Sequence, residues 1–250
     1  MKKINDIFYS LQGEGHNTGR AAVFIRFAGC NLRCPFCDTE FDTYREMTDE
    51  AILQAIAPYP ARFVVLTGGE PTLQVDEAFV DLLHSQGYEV AMESNGTRPA
   101  PQNLDWLTVS PKSLPPAPSN WRGSFQGKQP VEIKIVPESE DSLKDMQISL
   151  PPSNWRGCFQ GKQPDEIKIV FESEDSLDNI LTFLPPSSWK GYGSASFARE
   201  WGQGGGLYLQ PCDTGDPQRN KVIVEACIRY IEAHPQWRLS LQTHKLIGFK

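Results

Sequence analysis

The stretch Cys30-Asn31-Leu32-Arg33-Cys34-Pro35-Phe36-Cys37 places three of the chain's six cysteines in one loop, directly after a predicted strand. A structural zinc ion normally takes four protein ligands, whereas this loop supplies three and contains no histidine. A [4Fe–4S] cluster usually has four thiolate ligands, so three thiolates leave one iron free to bind another molecule. The spacing therefore predicts a cluster with one open iron, and zinc with a remote fourth ligand is the alternative.

An open iron of this kind can chelate the amino and carboxylate groups of S-adenosylmethionine. One electron from the cluster then cleaves the sulfonium and gives an adenosyl radical. The C-x3-C-x2-C loop resembles that of the radical S-adenosylmethionine (radical SAM) superfamily. The resemblance implies a 4Fe–4S cluster held by Cys30, Cys34 and Cys37, with S-adenosylmethionine as a second cofactor.

Composition excludes several classes of protein. The 250 residues include 24 Lys and Arg against 31 Asp and Glu, a formal net charge of −7. Nucleic-acid binding relies on clustered positive charge, which this chain lacks, and no apolar run approaches the roughly 18 residues of a membrane span. With no recognisable signal peptide, the expectation is a cytoplasmic protein without a nucleic-acid or membrane partner. The scattered Cys158, Cys212 and Cys227 are expected to be buried or incidental thiols.

Short β-rich runs alternate with amphipathic stretches, which predicts βαβ units and a mostly parallel sheet. A helical crossover does not fit between the runs near residues 93 and 106, which Pro and Gly interrupt. We therefore predict an α/β fold, a partial (open) α/β barrel of the radical SAM type with fewer helices than strands. The predicted strands are 21–27, 63–66, 88–92, 106–109, 132–136, 166–170, 207–209 and 238–241. The predicted helices are 49–57 (with Thr48 as N-cap), 75–85, 175–183 and 218–233.

A long internal repeat interrupts this pattern. Residues 119–143 recur at 153–177 with 22 of 25 positions identical, and a partial third copy begins at Leu184. A recent tandem duplication, inserted into a fold that needs one copy, explains the repeat. We predict a single radical SAM domain, 1–250, with 114–149 as the duplicated insertion. The second copy is expected to supply the strand, because Phe171 stands where the first copy has Pro137, which lacks a backbone donor.

Small or polar residues follow four of the predicted strands. The carboxyl ends of barrel strands are where enzymes of this architecture place their sites. Glycines there allow close approach of a ligand to the backbone. These segments are therefore predicted to form a cofactor bed at one mouth of the barrel. They are Thr67-Gly68-Gly69-Glu70-Pro71, Glu93-Ser94-Asn95-Gly96-Thr97, Ser110-Pro111-Lys112 and Gln210-Pro211. The first resembles the superfamily segment that holds the methionyl amine.

Four further motifs, outside the segments that resemble the whole superfamily, narrow the resemblance to one family within it. They are Leu11-Gln12-Gly13-Glu14-Gly15, Arg26 within a strand, Asp38-Thr39 after the last loop cysteine, and Leu241-Gln242-Thr243-His244-Lys245 near the C-terminus. In combination they resemble the 7-carboxy-7-deazaguanine synthase family over roughly residues 1–112 and 160–250. The resemblance implies conversion of 6-carboxy-5,6,7,8-tetrahydropterin to 7-carboxy-7-deazaguanine with loss of ammonia, in queuosine and 7-deazapurine biosynthesis.

The same resemblance implies roles for individual residues. Thr39 matches a Mg²⁺ ligand, and Arg26 suits the substrate carboxylate. His244 and Lys245 either close over the pterin or are ordinary surface residues. The substrate positions are Leu11, Gln12, Gly13, Arg26 and Ser94. The S-adenosylmethionine positions are Phe36, Cys37, Asp38, Gly69, Glu70, Gly96, Ser110, Pro111, Lys112 and Gln210. The resemblance further implies a homodimer and an external reductant such as flavodoxin or ferredoxin.

Two other functions are compatible with the cluster loop. An activase that installs a glycyl radical on a partner protein does not need the pterin-matching residues Gln12 and Arg26. A non-catalytic iron–sulfur or zinc scaffold predicts no turnover of S-adenosylmethionine. A turnover assay separates these from the synthase.

Overall fold

The computed structural model describes residues 1–34, 36–112, 164–173, 206–235 and 237–248. Within these ranges nine strands form one sheet and four α-helices are present. The strands are β1 Lys2–Leu11, β2 Ala21–Phe27, β3 Arg45–Met47, β4 Phe63–Gly68, β5 Glu89–Ser94, β6 Trp106–Val109, β7 Glu166–Phe171, β8 Gly206–Pro211 and β9 Trp237–Leu239. The helices are α1 Asp49–Ile56, α2 Glu77–Ser85, α3 Pro217–Ala233 and α4 Thr243–Ile247, and Pro71–Leu73 forms a 3-10 turn.

The sheet has the order β3-β1-β2-β4-β5-β6-β7-β8-β9, with β3 and β9 as its edges. Strand β1 pairs antiparallel with β2 and β3, and the pairs from β2 to β9 are parallel. Strands β3 and β9 do not pair with each other within the described residues. The result is the predicted open α/β barrel, in which seven parallel strands direct their carboxyl ends to the same mouth.

Helix positions follow from capping and from apolar spacing. The Thr48 side chain accepts a hydrogen bond from the amide of Ala51, which confirms the predicted N-cap of α1. Asp76 caps α2 in the same way, so that helix begins two residues later than predicted. In α3, Ile223 and Cys227 lie one turn apart and are buried against β7 and β8. Apolar faces at helical spacing thus cover the outside of the sheet.

The two faces of the strands differ in polarity. Residues such as Ile25, Leu66 and Met92 are fully buried in the core between the sheet and the helices. The alternate positions face the barrel interior, and towards the mouth they become polar, as in Arg26 and Glu93. Because strand side chains alternate in direction, the polar interior positions form a ring around one cavity.

Strand β1 was missed from the sequence. Its pairing with β2 shifts register between Ile4 and Asp6, and a bulge of this kind breaks the alternation of apolar and polar residues on which strand prediction relies. Strand β3 is only three residues long, and α4 was likewise not predicted.

The second repeat copy supplies β7, which lies between β6 and β8. The corresponding segment of the first copy (132–136), the predicted insertion 114–149 and the predicted helix 175–183 fall outside the described residues, as does Cys158. None of the helices in the described ranges has the length and apolar character needed to cross a bilayer.

Candidate active site

A cavity of about 400 Å³ opens at the carboxyl ends of the parallel strands. Its wall includes all three cysteines of the loop after β2, polar residues from several strands, and residues near the C-terminus. Cavities at this end of a barrel are the usual position of an active site.

The two glycines after β4 fix the start of the cysteine loop. Gly68 has a φ of 132°, and a Cβ on Gly69 would overlap the carbonyl oxygen of Gly29. The amide of Gly69 donates to Phe27 O at 3.0 Å, and that of Glu70 donates to Gly29 O at 2.8 Å. Only residues without a side chain permit this approach, which brings the loop that begins at Cys30 against the end of β4.

The three cysteine side chains are exposed to different degrees but line the same cavity. Cys30 and Cys34 are half-buried and Cys37 is exposed. Burial raises the pKa of the Cys34 thiol to about 11 and also raises that of Cys30, where nearby Glu70 adds to the effect. Since iron binds the thiolate form, cluster assembly must release these protons.

The residues fit a [4Fe–4S] cluster better than a zinc ion. Within the described ranges, no three His, Cys, Asp or Glu side chains converge closely enough to hold one metal ion. A zinc site requires such convergence because its ligands lie about 2.0–2.3 Å from a single ion. In a cubane cluster each thiolate binds a different iron, so three separated thiols around one cavity satisfy it. The backbone amide of Leu32 also donates to Cys30 Sγ at 3.4 Å, and bonds of this type tune cluster potentials.

Glu93 is held at the cavity wall by two hydrogen bonds. Gln12 Nε2 donates to one carboxylate oxygen at 2.9 Å, and Thr67 Oγ1 donates to the other at 3.1 Å. All three residues line the cavity. This arrangement presents a fixed carboxylate to a ligand.

Glu14 and Lys168 form an ion pair in the same wall, with side chains only 15% and 6% exposed. Gln242 Nε2 donates to the other oxygen of Glu14 at 2.9 Å. Burial alone would raise the pKa of Glu14, but the positive charge of Lys168 lowers it overall. Burial would likewise lower the pKa of Lys168, yet Glu14 and Glu93 raise it. Both groups are therefore charged at neutral pH.

The loop that carries Gln12 and Glu14 is tied to distant segments. Gly13 O accepts a hydrogen bond from the amide of Thr243 at 3.0 Å, and the amide of Gly15 donates to Ser240 Oγ at 3.1 Å. The amide of His16 donates to buried Glu166 at 2.9 Å, and burial raises the pKa of Glu166 to about 7. These contacts join the loop between β1 and β2 to β7 and to the C-terminal segment, which places its polar side chains in the cavity.

A second group of charges surrounds Thr39. Arg26 Nη1 lies 3.4 Å from Thr39 Oγ1, and its guanidinium stacks over Phe8 at 5.6 Å. Neighbouring Asp38 accepts from Lys245 Nζ at 2.6 Å, and Lys245 also contacts Asp213 at 3.1 Å. Arg26 takes part in none of the ion pairs found among the described residues, so its charge is available to a ligand.

Most residues selected from the sequence line this one cavity. They are Leu11, Gln12, Gly13, Arg26, Cys30, Cys34, Phe36, Cys37, Asp38, Thr39, Gly69, Ser94, Ser110, Lys112 and Gln210. Glu70, Gly96 and Pro111 are buried and do not line the cavity. Glu70 is fully buried, and its carboxylate accepts hydrogen bonds from neighbouring residues.

Sequence reasoning missed Thr108, Lys168 and Asp213 of the wall. Other polar wall residues stand in motifs that the sequence analysis quoted, but it gave them no individual role: Glu14, Thr67, Glu93, Asn95 and Gln242. Two of these residues had a signal in the sequence: Glu93 directly follows the apolar run 90–92, and Lys168 lies between Ile167 and Ile169. Burial of a charge in such a strand requires a partner or a ligand.

The open α/β barrel and the three-cysteine loop at its mouth define a radical SAM protein, and residues 24–124 match the family model described as Radical SAM superfamily. The chain belongs, within that class, to the 7-carboxy-7-deazaguanine synthase family. It is 38% identical to the 7-carboxy-7-deazaguanine synthase of Bacteroides thetaiotaomicron, with 100% of both chains covered. It is 36% identical to that of Bordetella pertussis, covering 98% of this chain and 97% of the relative. Among solved structures, QueE from Escherichia coli superposes with a TM-score of 0.61 at 25% identity, covering 96% and 93% of the two chains.

Proposed function

We propose that this chain is a radical SAM enzyme that converts 6-carboxy-5,6,7,8-tetrahydropterin to 7-carboxy-7-deazaguanine with loss of ammonia. The observation that carries the proposal is the convergence of three cluster cysteines and a set of fixed charged groups on one cavity, in a chain of this family. When bound, a cluster and S-adenosylmethionine supply a radical that removes hydrogen from an unactivated carbon. The protein supplies orientation, charge and exclusion of water.

The fixed charges suit the two ends of the pterin. The pyrimidine edge of a pterin carries N–H donors, and ionised carboxylates accept such donors strongly. Glu93, fixed by Gln12 and Thr67, and Glu14, fixed by Lys168, offer this acceptor surface. Arg26, which has no anionic partner among the residues that the structure describes, offers its guanidinium to the substrate carboxylate. The activase function requires no such lining, so these contacts favour a small polar substrate.

The part of the cavity near the cysteine loop is assigned to S-adenosylmethionine. Phe36 lies between two cluster ligands and offers an apolar ring for the adenine. Lys112 donates to Ser110 Oγ at 2.7 Å, and burial lowers its pKa, an effect to which the charge of Lys168 adds. Gly69 and Gln210 complete this part of the wall. Glu70, Gly96 and Pro111 contribute by shaping the backbone behind it.

Thr39 is the candidate ligand for Mg²⁺. One hydroxyl does not make a magnesium site, because Mg²⁺ requires six oxygen ligands in an octahedron. The substrate carboxylate and water are proposed to complete the set, beside Arg26. Turnover of the pterin is then expected to require Mg²⁺. Cleavage of S-adenosylmethionine in the absence of the pterin is expected to proceed without Mg²⁺. Full product formation in the presence of a chelator that removes Mg²⁺ would exclude this role.

The remaining proposals are a cytoplasmic homodimer, a flavodoxin- or ferredoxin-like reductant, and a single domain in which 114–149 is an insertion. The homodimer and the reductant rest on the family resemblance, the cytoplasmic location on the sequence composition, and the insertion on the internal repeat. The position of β7 supports the last, because the second repeat copy supplies the strand next to β6.

The test of the function is anaerobic reconstitution with iron and sulfide, then incubation with reductant, S-adenosylmethionine, Mg²⁺ and the pterin. Mass spectrometry is expected to detect 7-carboxy-7-deazaguanine and ammonia in equal amounts. Cleavage of S-adenosylmethionine without any change in the pterin would contradict the proposed substrate.

A further inference from the structure

A buried hydrogen-bond network surrounds Cys30 and begins at Glu70. Glu70 Oε1 accepts from Ser94 Oγ at 2.9 Å, and Oε2 accepts from the backbone amide of Asn95 at 2.7 Å. Glu70 Oε1 also accepts from Thr72, through the amide at 3.0 Å and the hydroxyl at 2.6 Å. A fully buried carboxylate with four donors is a fixed anchor, and here it anchors the loop that follows β5.

The side chain of Asn95 connects this anchor to the cysteine loop. The residue is 6% exposed. Its Oδ1 accepts from the amide of Thr97 at 2.9 Å and from the Thr97 hydroxyl at 2.6 Å. Its Nδ2 donates to Asn31 Oδ1 at 3.0 Å and lies 3.9 Å from Cys30 Sγ. Asn31 Nδ2 in turn donates to Thr97 Oγ1 at 2.7 Å, which closes the network.

This network fixes which end of the Asn95 amide faces the sulfur. The amide of Thr97 is a donor only, so its partner on Asn95 must be the carbonyl oxygen. The –NH₂ group therefore points to Cys30. An N–H directed at a thiolate stabilises the more negative, reduced state of a cluster, and so raises the reduction potential.

We propose that Asn95 is a positioning residue of the cluster, which holds Cys30 in place and raises the reduction potential through an N–H···S hydrogen bond. This inference rests on the proposed cluster at Cys30, Cys34 and Cys37, and on no particular substrate. Glu70 acts through Asn95 rather than by contact with a ligand.

The test compares two substitutions in the reconstituted protein with a matched control. Asn95→Leu removes the donor without adding charge. Asn95→Asp keeps an acceptor for Thr97 but replaces the donor by a carboxylate oxygen. Asn17→Asp is the control, because Asn17 is 7% exposed, lies outside the cavity wall, and its Oδ1 accepts from Arg20, a contact that Asp retains.

The readout is the midpoint potential of the cluster, titrated without substrate. Loss of one charge-assisted hydrogen bond is expected to lower the ratio of reduced to oxidised cluster about tenfold at a fixed potential in Asn95→Leu. Tenfold corresponds to 59 mV for a one-electron couple. Asn95→Asp is expected to show a larger change in the same direction, and Asn17→Asp less than a twofold change.

A second readout covers the case in which Asn95→Leu does not fold. The vibrational bands of Fe–S(Cys) stretching in the wild type are expected to shift in D₂O, because the N–H groups bonded to sulfur become N–D. Asn95→Asp is expected to lose part of that shift, independently of the effect of its added charge on the potential. An unchanged potential in a folded Asn95→Leu, or an unchanged D₂O shift in Asn95→Asp, overturns the inference. Failure of the wild type to bind a cluster overturns the proposed function instead, so the two failures are distinguishable.

Discussion

Replacement of Lys168 by Met tests the charge arrangement of the cavity. Lys168 and Glu14 come from segments 154 residues apart and are both largely buried. In Lys168→Met the Glu14 carboxylate keeps its hydrogen bond from Gln242 but loses its positive partner. Removal of one member of a buried ion pair usually costs about 3–5 kcal/mol, because the other charge is left uncompensated.

A loss of that size is measurable as a change in melting temperature. For a chain of this length, 1 kcal/mol corresponds to roughly 2–4 °C, so Lys168→Met is expected to melt roughly 6–20 °C below the wild type. The double variant Lys168→Met/Glu14→Gln is expected to recover most of the loss, because neither member of the pair is then charged. Lys221→Met is the control: Lys221 is 77% exposed and 4.0 Å from Glu225, and surface pairs contribute about 0–1 kcal/mol.

The loss is expected to depend on pH. In the wild type the pKa of Glu14 is lowered, so its contribution to stability is present above the ordinary carboxyl pKa and is lost as pH falls through the lowered value. In Lys168→Met only the Gln242 hydrogen bond and the charge of His244 still oppose burial, which is the largest effect and is expected to raise that pKa. Stability is then expected to fall as pH rises from the ordinary carboxyl pKa towards the raised value. The contribution of Lys168, whose pKa is raised, is present below the ordinary lysine pKa and persists throughout this range.

The assay is urea unfolding of the cluster-free protein at several values between pH 4 and pH 8. The difference between wild type and Lys168→Met is expected to be largest near pH 8 and smallest near pH 4. Equal stabilities near pH 8, or a difference that does not change with pH, would refute the assignment of a buried, mutually compensating pair.

Three further predictions address the cluster, the substrate and the repeat. Replacement of any one of Cys30, Cys34 and Cys37 by Ala is expected to abolish the charge-transfer absorption of the reconstituted protein. The same change at Cys212 or Cys227 is expected to leave that absorption intact, and its loss there would contradict the three-ligand assignment. Arg26→Ala is expected to weaken pterin binding about 10- to 100-fold, as loss of a charge-assisted pair of about 1.5–3 kcal/mol implies, with little effect on S-adenosylmethionine binding in calorimetry. Equal loss of both ligands would instead indicate that Arg26 supports the barrel. Deletion of 116–149 is expected to leave a folded, cluster-binding enzyme within about tenfold of the parent activity, because loop length affects stability only logarithmically, whereas deletion of 150–183 removes β7. Tolerance of only the second deletion would reverse the assignment of the two copies.

Local sequence patterns predicted much of the fold. Strands β2 and β6 have the predicted bounds, and α1 begins at the predicted cap, because apolar runs and capping residues act over short distances. Strand β1 was missed because its bulge displaces the alternation between Ile4 and Asp6. Patterns of period two or 3.6 carry no information about such an interruption.

The candidate site likewise contains residues that the sequence could predict and residues that only the fold brings together. The cysteine loop could be recognised from the sequence because its three cysteines lie within eight residues. The ion pair Glu14–Lys168 could not be predicted from the sequence, because it depends on the relative positions of β1 and β7 in the sheet. Glu70 shows a third case: its motif was recognised, but only the structure reveals that its carboxylate is fully buried, does not line the cavity, and accepts hydrogen bonds from Ser94 and from the amide of Asn95.

The transfer of one hydrogen atom tests the proposed reaction most sharply. The radical source and the pterin are proposed to share one cavity, so hydrogen from C6 of the substrate is expected to pass to the adenosyl carbon. With the pterin deuterated at C6, the 5′-deoxyadenosine formed during turnover is expected to carry deuterium, as judged by mass spectrometry. Unlabelled 5′-deoxyadenosine, formed while the labelled pterin is consumed, would contradict this hydrogen transfer.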